Sequence, residues 1–290
     1  MPPARPVPSV SLRRLAGELH RLREHVRLSQ EDVMERTGIN RATLYRIEAG
    51  RSRPQGRTLR ALLDLYGVDG SRRDEIVKLS KNTDRQDWLR PYHAELSDQY
   101  TAYISFESEA LTVRNFEPMF IPGLLQTEDY AHAVIRDVWP TATATDVEQH
   151  VQARMERQNR LTGTDSLGLS VVLGEAAVRH HVGGSSVMAE QLRHLQAVAT
   201  EPHIDMRVIP FDAGAHPGML GGFSVLAFPD YPGMVYLDGL AGDLFLESES
   251  DLDRYNTVFC RLQAASLDHD DSLTLIEAAL HALTPEETPA

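Results

Sequence analysis

The sequence predicts a multidomain protein in which an all-α, five-helix domain is followed by an α+β domain. Three observations lead there. The chain has 290 residues, more than the roughly 100–200 of one typical domain. Charge is split along it: residues 1–90 hold 19 Lys and Arg against 12 Asp and Glu, net +7, and the remainder holds 10 against 30, net −20, within an overall −13. Apolar spacing is helical throughout the first 80 residues, and strand-like stretches join it only later. With 42% hydrophobic and 24% charged residues, the composition is that of a folded globular chain.

Leu12, Leu15, Leu19, Leu22 and Val26 recur at spacings of three and four and form one stripe of a first helix. Ser29 caps a short second helix, with Asp32 three residues on and Gly38 ending it. Asn40 caps a third that runs through Ala49, with Leu44 and Ile47 inward and Gly50 as the stop. Thr58 is expected to cap a fourth, carrying Leu59, Leu62, Leu63 and Tyr66 inward to Gly67, and Ser71 to start a fifth. Three short helices joined by such a tight turn form a helix-turn-helix pattern. The expected boundaries are a helical domain over 1–80, a helical linker over 81–111 with Pro91 in a first turn or as an interruption, and the acidic domain over 112–290.

In that last domain, strand character appears at 167–173, 204–211, 223–228, 234–237 and 244–247, between Gly and Pro turns. Helical periodicity appears at 129–138, 146–161, 187–199, 251–265 and 272–283. One sheet with helices is expected, hence α+β.

Base edges in the major groove offer donor and acceptor pairs that Arg, Asn and Gln side chains meet in bidentate fashion. Asn40, Arg41, Ala42 and Thr43 stand at the amino-terminal end of helix three, the end that enters the groove, and Arg46 follows Ala42 by four residues on the same face. These are the candidate base readers for a double-stranded DNA operator. Arg51, Arg53 and Arg57 follow in a loop, where they are placed to hold phosphates and set register. Tyr45 is expected to pack or to touch a phosphate. Two copies on a twofold axis would reach half-sites about 34 Å apart, so a homodimer is expected.

The segment LSQEDVMERTGINRATLYRIEAGRSRP, Leu28 to Pro54, resembles the helix-turn-helix of the Xre and lambdoid-phage repressor family. The resemblance implies that Gln30 packs against the recognition helix and a phosphate or base. It also implies that Arg23 and Glu48 form a buried ion pair between helices one and three. Further segments, FIPGLLQTEDYA from Phe120, RQNRL from Arg157, LGEAAVRHHVGG from Leu173, VIPFDAGAHPG from Val208 and MVYLD from Met234, resemble the WhiJ-like regulators of actinobacteria. That resemblance covers nearly the whole chain and implies an antitoxin-like second domain, a small BldB-like partner protein and no catalytic residues.

Several function classes find no support. No apolar run reaches the roughly 20 residues of a membrane span, and Met1 to Pro8 lacks the apolar core of a secretory signal, so a cytoplasmic location is expected. Cys260 is the only cysteine, which excludes an intramolecular disulfide and a Cys-based zinc site; beside Val258, Phe259 and Leu262 it is expected to be buried and inert. The twelve histidines include no H-E-x-x-H, and His180 and His181 would face opposite sides of a strand. Asp212 and His216 have no activated nucleophile beside them and fit a structured turn, and Glu247, Glu249, Asp251 and Asp253 lack EF-hand spacing and fit a strand end and helix start. Phe120 to Leu125 is an apolar run expected in the core. No enzyme, cofactor or metal site is expected. The reading is a sequence-specific DNA-binding transcriptional regulator, a repressor, whose second domain binds a small protein or ligand that adjusts operator occupancy. The alternative is an antitoxin-like protein that sequesters a small partner and binds DNA for autoregulation.

Overall fold

The structure, a computed structural model, describes residues 10–81, 96–229, 231–239 and 242–283. The Pro-rich start and the linker between 82 and 95, Pro91 included, lie outside the described residues. The chain divides into two compact units, Met1–Glu109 and Ala110–Ala290.

The first unit contains α1 (Val10–His25), α2 (Gln30–Thr37), α3 (Arg41–Glu48), α4 (Gly56–Leu65) and α5 (Gly70–Lys81). A sixth helix, α6 (Asp98–Glu109), follows the undescribed stretch. The stripe read from the sequence becomes the core: Leu15 and Leu19 of α1 pack with Val33, Leu44, Ile47, Leu59, Leu62, Leu63, Tyr66 and Ile76. Two boundaries differ from expectation. Gln55, extended and offering no side-chain cap, precedes α4 and accepts Leu59 N–H on its carbonyl, so Thr58 lies inside the first turn. α5 begins at Gly70, whose φ of +57° suits a residue without a Cβ.

The second unit is built on a six-stranded sheet with the order β3-β2-β1-β4-β5-β6. Its strands are β1 (Thr112–Glu117), β2 (Gly168–Gly174), β3 (Ile204–Ile209), β4 (Phe223–Phe228), β5 (Tyr231–Leu237) and β6 (Leu244–Leu246). β1, β2 and β3 run parallel, whereas β4, β5 and β6 pair antiparallel, with Phe116 opposite Phe223 at the junction. The parallel strands need helical crossovers: α7 (Glu128–Val138) and α8 (Ala144–Arg157) join β1 to β2, and α9 (Glu175–Arg179) and α10 (Ser185–Val198) join β2 to β3. Two carboxy-terminal helices follow, α11 (Glu249–Ala265) and α12 (His269–Leu283). Phe259 and Leu262 of α11 pack on Phe116, Val172, Ile209, Phe223, Val225 and Val235, one face of the sheet. The fold is multidomain, helical then α+β.

β1 and α9 were not expected from the sequence. Cys260 is exposed, a correction to the buried thiol expected above: Phe259 and Leu262 take the sheet side of α11, and the next position turns outward. Of the apolar run, Ile121, Leu124 and Leu125 are buried, and Phe120 is exposed.

Candidate nucleic-acid interface

The Ser29 hydroxyl accepts Asp32 N–H, and the Asp32 carboxylate accepts Ser29 N–H at 2.7 Å, a reciprocal cap that fixes where α2 begins. These hydrogen bonds from Ser29 hold the Asp32 carboxyl below its ordinary range. α2 ends at Gly38, in the left-handed region with φ +72°, whose N–H donates to Met34 O at 2.8 Å. Thr37 Oγ1 accepts Ile39 N–H, and Asn40 Oδ1 accepts Ala42 N–H at 2.8 Å, which starts α3 two residues after the turn. Leu44 and Ile47 are buried, so Arg41, Ala42, Tyr45 and Arg46 face outward.

The far end of α3 is tied to α1. Arg23 Nε donates to Glu48 Oε1 at 2.7 Å and Nη2 to Oε2 at 3.1 Å, while Nη1 reaches Leu28 O at 2.8 Å. Arg23 Nη2 also donates to His20 Nδ1 at 2.9 Å. Burial pushes the Glu48 carboxyl up, but hydrogen bonds from Arg23 and Gln30 outweigh it and leave Glu48 below its usual range. The same pairing raises Arg23. A paired, bidentate guanidinium in this position sets the angle of α3 against α1, and this ion pair is structural.

Asn40 caps α3, Arg41, Ala42 and Thr43 form its amino-terminal end, and Arg46 lies in its last turn on the exposed side. Arg46 Nη2 lies 3.3 Å from Thr43 Oγ1, and both Arg46 and Arg41 are exposed. Gln30 turns toward the ion pair, its Nε2 donating to Glu48 Oε2 at 2.9 Å. Arg51 stacks on Tyr45, its guanidinium carbon 5.6 Å from the ring centroid, and Tyr45 is 50% exposed, which leaves the pair open to a phosphate or sugar. Arg53 Nη1 donates to Ser80 O at 2.8 Å, so it ties its loop to the end of α5. Arg57 is exposed but stands in the first turn of α4, not in the loop where the sequence reading put it, because α4 starts at Gly56. Glu31 was missed: its carboxylate accepts from Arg41 Nη1 at 2.7 Å across the turn. A contact between residues ten apart on two helices leaves no periodic signal.

In the second unit, burial pushes the Glu117 carboxyl, at the end of β1, up to about 7. Asp243 is raised to about 6, by burial first and then by the charge of Asp238. Glu249 and Asp251 occupy the first turn of α11 behind the Ser248 cap. Among the described residues no group of three or more His, Cys, Asp or Glu is placed to hold a metal ion, and no helix is long and apolar enough to cross a membrane.

A family model described as a domain of unknown function, DUF5753, matches residues 100–278. The chain belongs to the DUF5753 family. A second model, described as a helix-turn-helix domain, matches residues 14–76 of this DUF5753 protein, from within α1 to within α5. No curated protein and no solved structure matches it. The two matches, taken with the geometry of α2 and α3, make this DUF5753 protein a helix-turn-helix DNA-binding regulator.

Proposed function

We propose that the protein is a sequence-specific transcriptional repressor of the kind the WhiJ-like resemblance suggests, acting in the cytoplasm as a homodimer on a double-stranded operator. One observation carries this reading: the buried Arg23–Glu48 pair fixes α3 so that Arg41 and Arg46 project from its open face. In this reading Asn40, Arg41, Ala42, Thr43 and Arg46 meet base edges, Gln30 packs against α3 and meets a phosphate or base, and Arg51, Arg53 and Arg57 hold phosphates. The net +7 of the first ninety residues supplies the phosphate attraction.

The second unit senses a small partner protein or ligand and adjusts operator occupancy. Its 10 Lys and Arg against 26 Asp and Glu, net −16, disfavour phosphate. Exposed apolar side chains supply a contact surface at the ends of the parallel strands: Met119 and Phe120 after β1, Phe211 after β3, and Met219 and Leu220 before β4. Genome-wide footprinting of the bound protein tests the reading. Paired half-sites about 34 Å apart upstream of repressed genes are expected. A footprint without symmetry, or loss of none of it in Arg41→Ala and Arg46→Ala, rejects the dimer or the groove placement respectively.

A further inference from the structure

Arg41, the first residue of α3, does not stand alone. Its Nη1 donates to Glu31 Oε1 at 2.7 Å, from the first turn of α2, and the pair lies open, 62% and 59% exposed. Exposed ion pairs add little to folding stability, yet this one restrains a long, flexible side chain at the place where it meets a base. Glu31 Oε2 has no partner among the described residues, and the guanidinium keeps four of its five N–H donors. The pair therefore presents donors and an acceptor side by side. In the major groove a G·C pair presents the complement: two acceptors, O6 and N7 of guanine, beside the N4 amino donor of cytosine.

We propose that Glu31 and Arg41 form one composite reader, in which Glu31 positions the Arg41 guanidinium on guanine and turns its free oxygen to a neighbouring amino edge. This rests on the reading that α3 enters the major groove. Glu31 also brings a negative charge toward phosphates, so its removal acts on two readouts in opposite directions. Affinity for all sequences rises or holds, while preference at one base pair falls. A purely structural or electrostatic role would move only the first.

The test is selection of bound sequences from a randomised operator library with the full-length protein, its Arg41→Ala, Glu31→Ala and Glu31→Gln variants, and thermal melts to verify folding. Arg41→Ala is expected to lose a guanine preference at one position. Glu31→Ala is expected to weaken the preference at that same position by about tenfold, the order of one bidentate contact. Glu31→Gln, which keeps an oxygen acceptor for Arg41, is expected to retain part of it. If both Glu31 variants keep the wild-type preference while Arg41→Ala loses it, the composite reader is overturned and the placement of α3 stands. If Arg41→Ala changes no position, the placement of α3 fails and the reader with it.

Discussion

Arg23 and Arg41 are both arginines of the helix-turn-helix domain, and the structure gives them opposite surroundings. Arg23 is buried against Glu48, so Arg23→Ala strands a carboxylate in the core and is expected to cost about 3–5 kcal/mol of stability. Arg41 is exposed, so Arg41→Ala is expected to leave the unfolding free energy within about 0.5 kcal/mol while relaxing base preference. Denaturant titration of both variants measures the contrast. Acid acts through the same pair. Glu48 titrates below its unfolded value, so its stabilisation is complete above the ordinary carboxyl range and is lost as pH falls through the folded value. Glu117 has the opposite sign. Raised to about 7 by burial, it holds a proton in the folded state that the unfolded chain releases near pH 4.3, so stability falls as pH climbs between those values. Glu117→Gln is expected to remove that slope and gain about 1–3 kcal/mol relative to wild type at pH 8, with little difference at pH 4. Unfolding curves at the two pH values that give parallel losses would contradict the assignment.

At the scale of elements, the short helices were readable because their ends are local chemistry. Ser29 with Asp32 and Asn40 with Ala42 N–H form caps that depend only on neighbours along the chain. The start of α4 was misread because its cap is backbone alone, and a backbone that begins a helix without a polar side chain has no mark in the sequence. β1 was missed for a different reason. Its residues TVRNFE carry Arg114, Asn115 and Glu117, yet it sits at the centre of the sheet, where Asn115 Nδ2 is met by Ser224 Oγ at 2.9 Å from β4. Only the partner strand makes Asn115 tolerable inside, while Arg114 faces outward and donates to Asn256 Oδ1 at 2.7 Å. The loop before β4 depends on close approach: a Cβ at Gly218 would fall 2.4 Å from the Phe116 ring and 2.9 Å from Leu262. Gly218→Ala is therefore expected to cost about 1–3 kcal/mol by displacing the ring from under α11, as an equilibrium melt would show. Gly221→Ala, three residues on, meets no neighbour, and its cost comes from its φ of +127° alone.

At the scale of the whole molecule, the five helices own a core from Leu15 to Ile76, so residues 1–80 are expected to fold and bind operator by themselves, more weakly if dimer contacts lie elsewhere. A folded fragment without affinity at low salt would refute this. Arg51→Ala is expected to weaken all sequences alike and to lower the slope of log affinity against log salt by about 0.9, the loss of one phosphate contact. Arg53→Ala is expected to do the same and also to lower stability, since it releases the loop from Ser80.

The sequence alone determined the order of the domains, the helix-turn-helix and the face of α3 that carries Asn40, Arg41 and Arg46, because charge balance, caps and a 3.6-residue period are properties of neighbours in the chain. Only the tertiary structure decided that Gln30 turns to Glu48, that Glu31 holds Arg41, that Arg53 is anchored and that β1 is central. Each of those depends on a partner brought near by packing, at a sequence distance that no local pattern records.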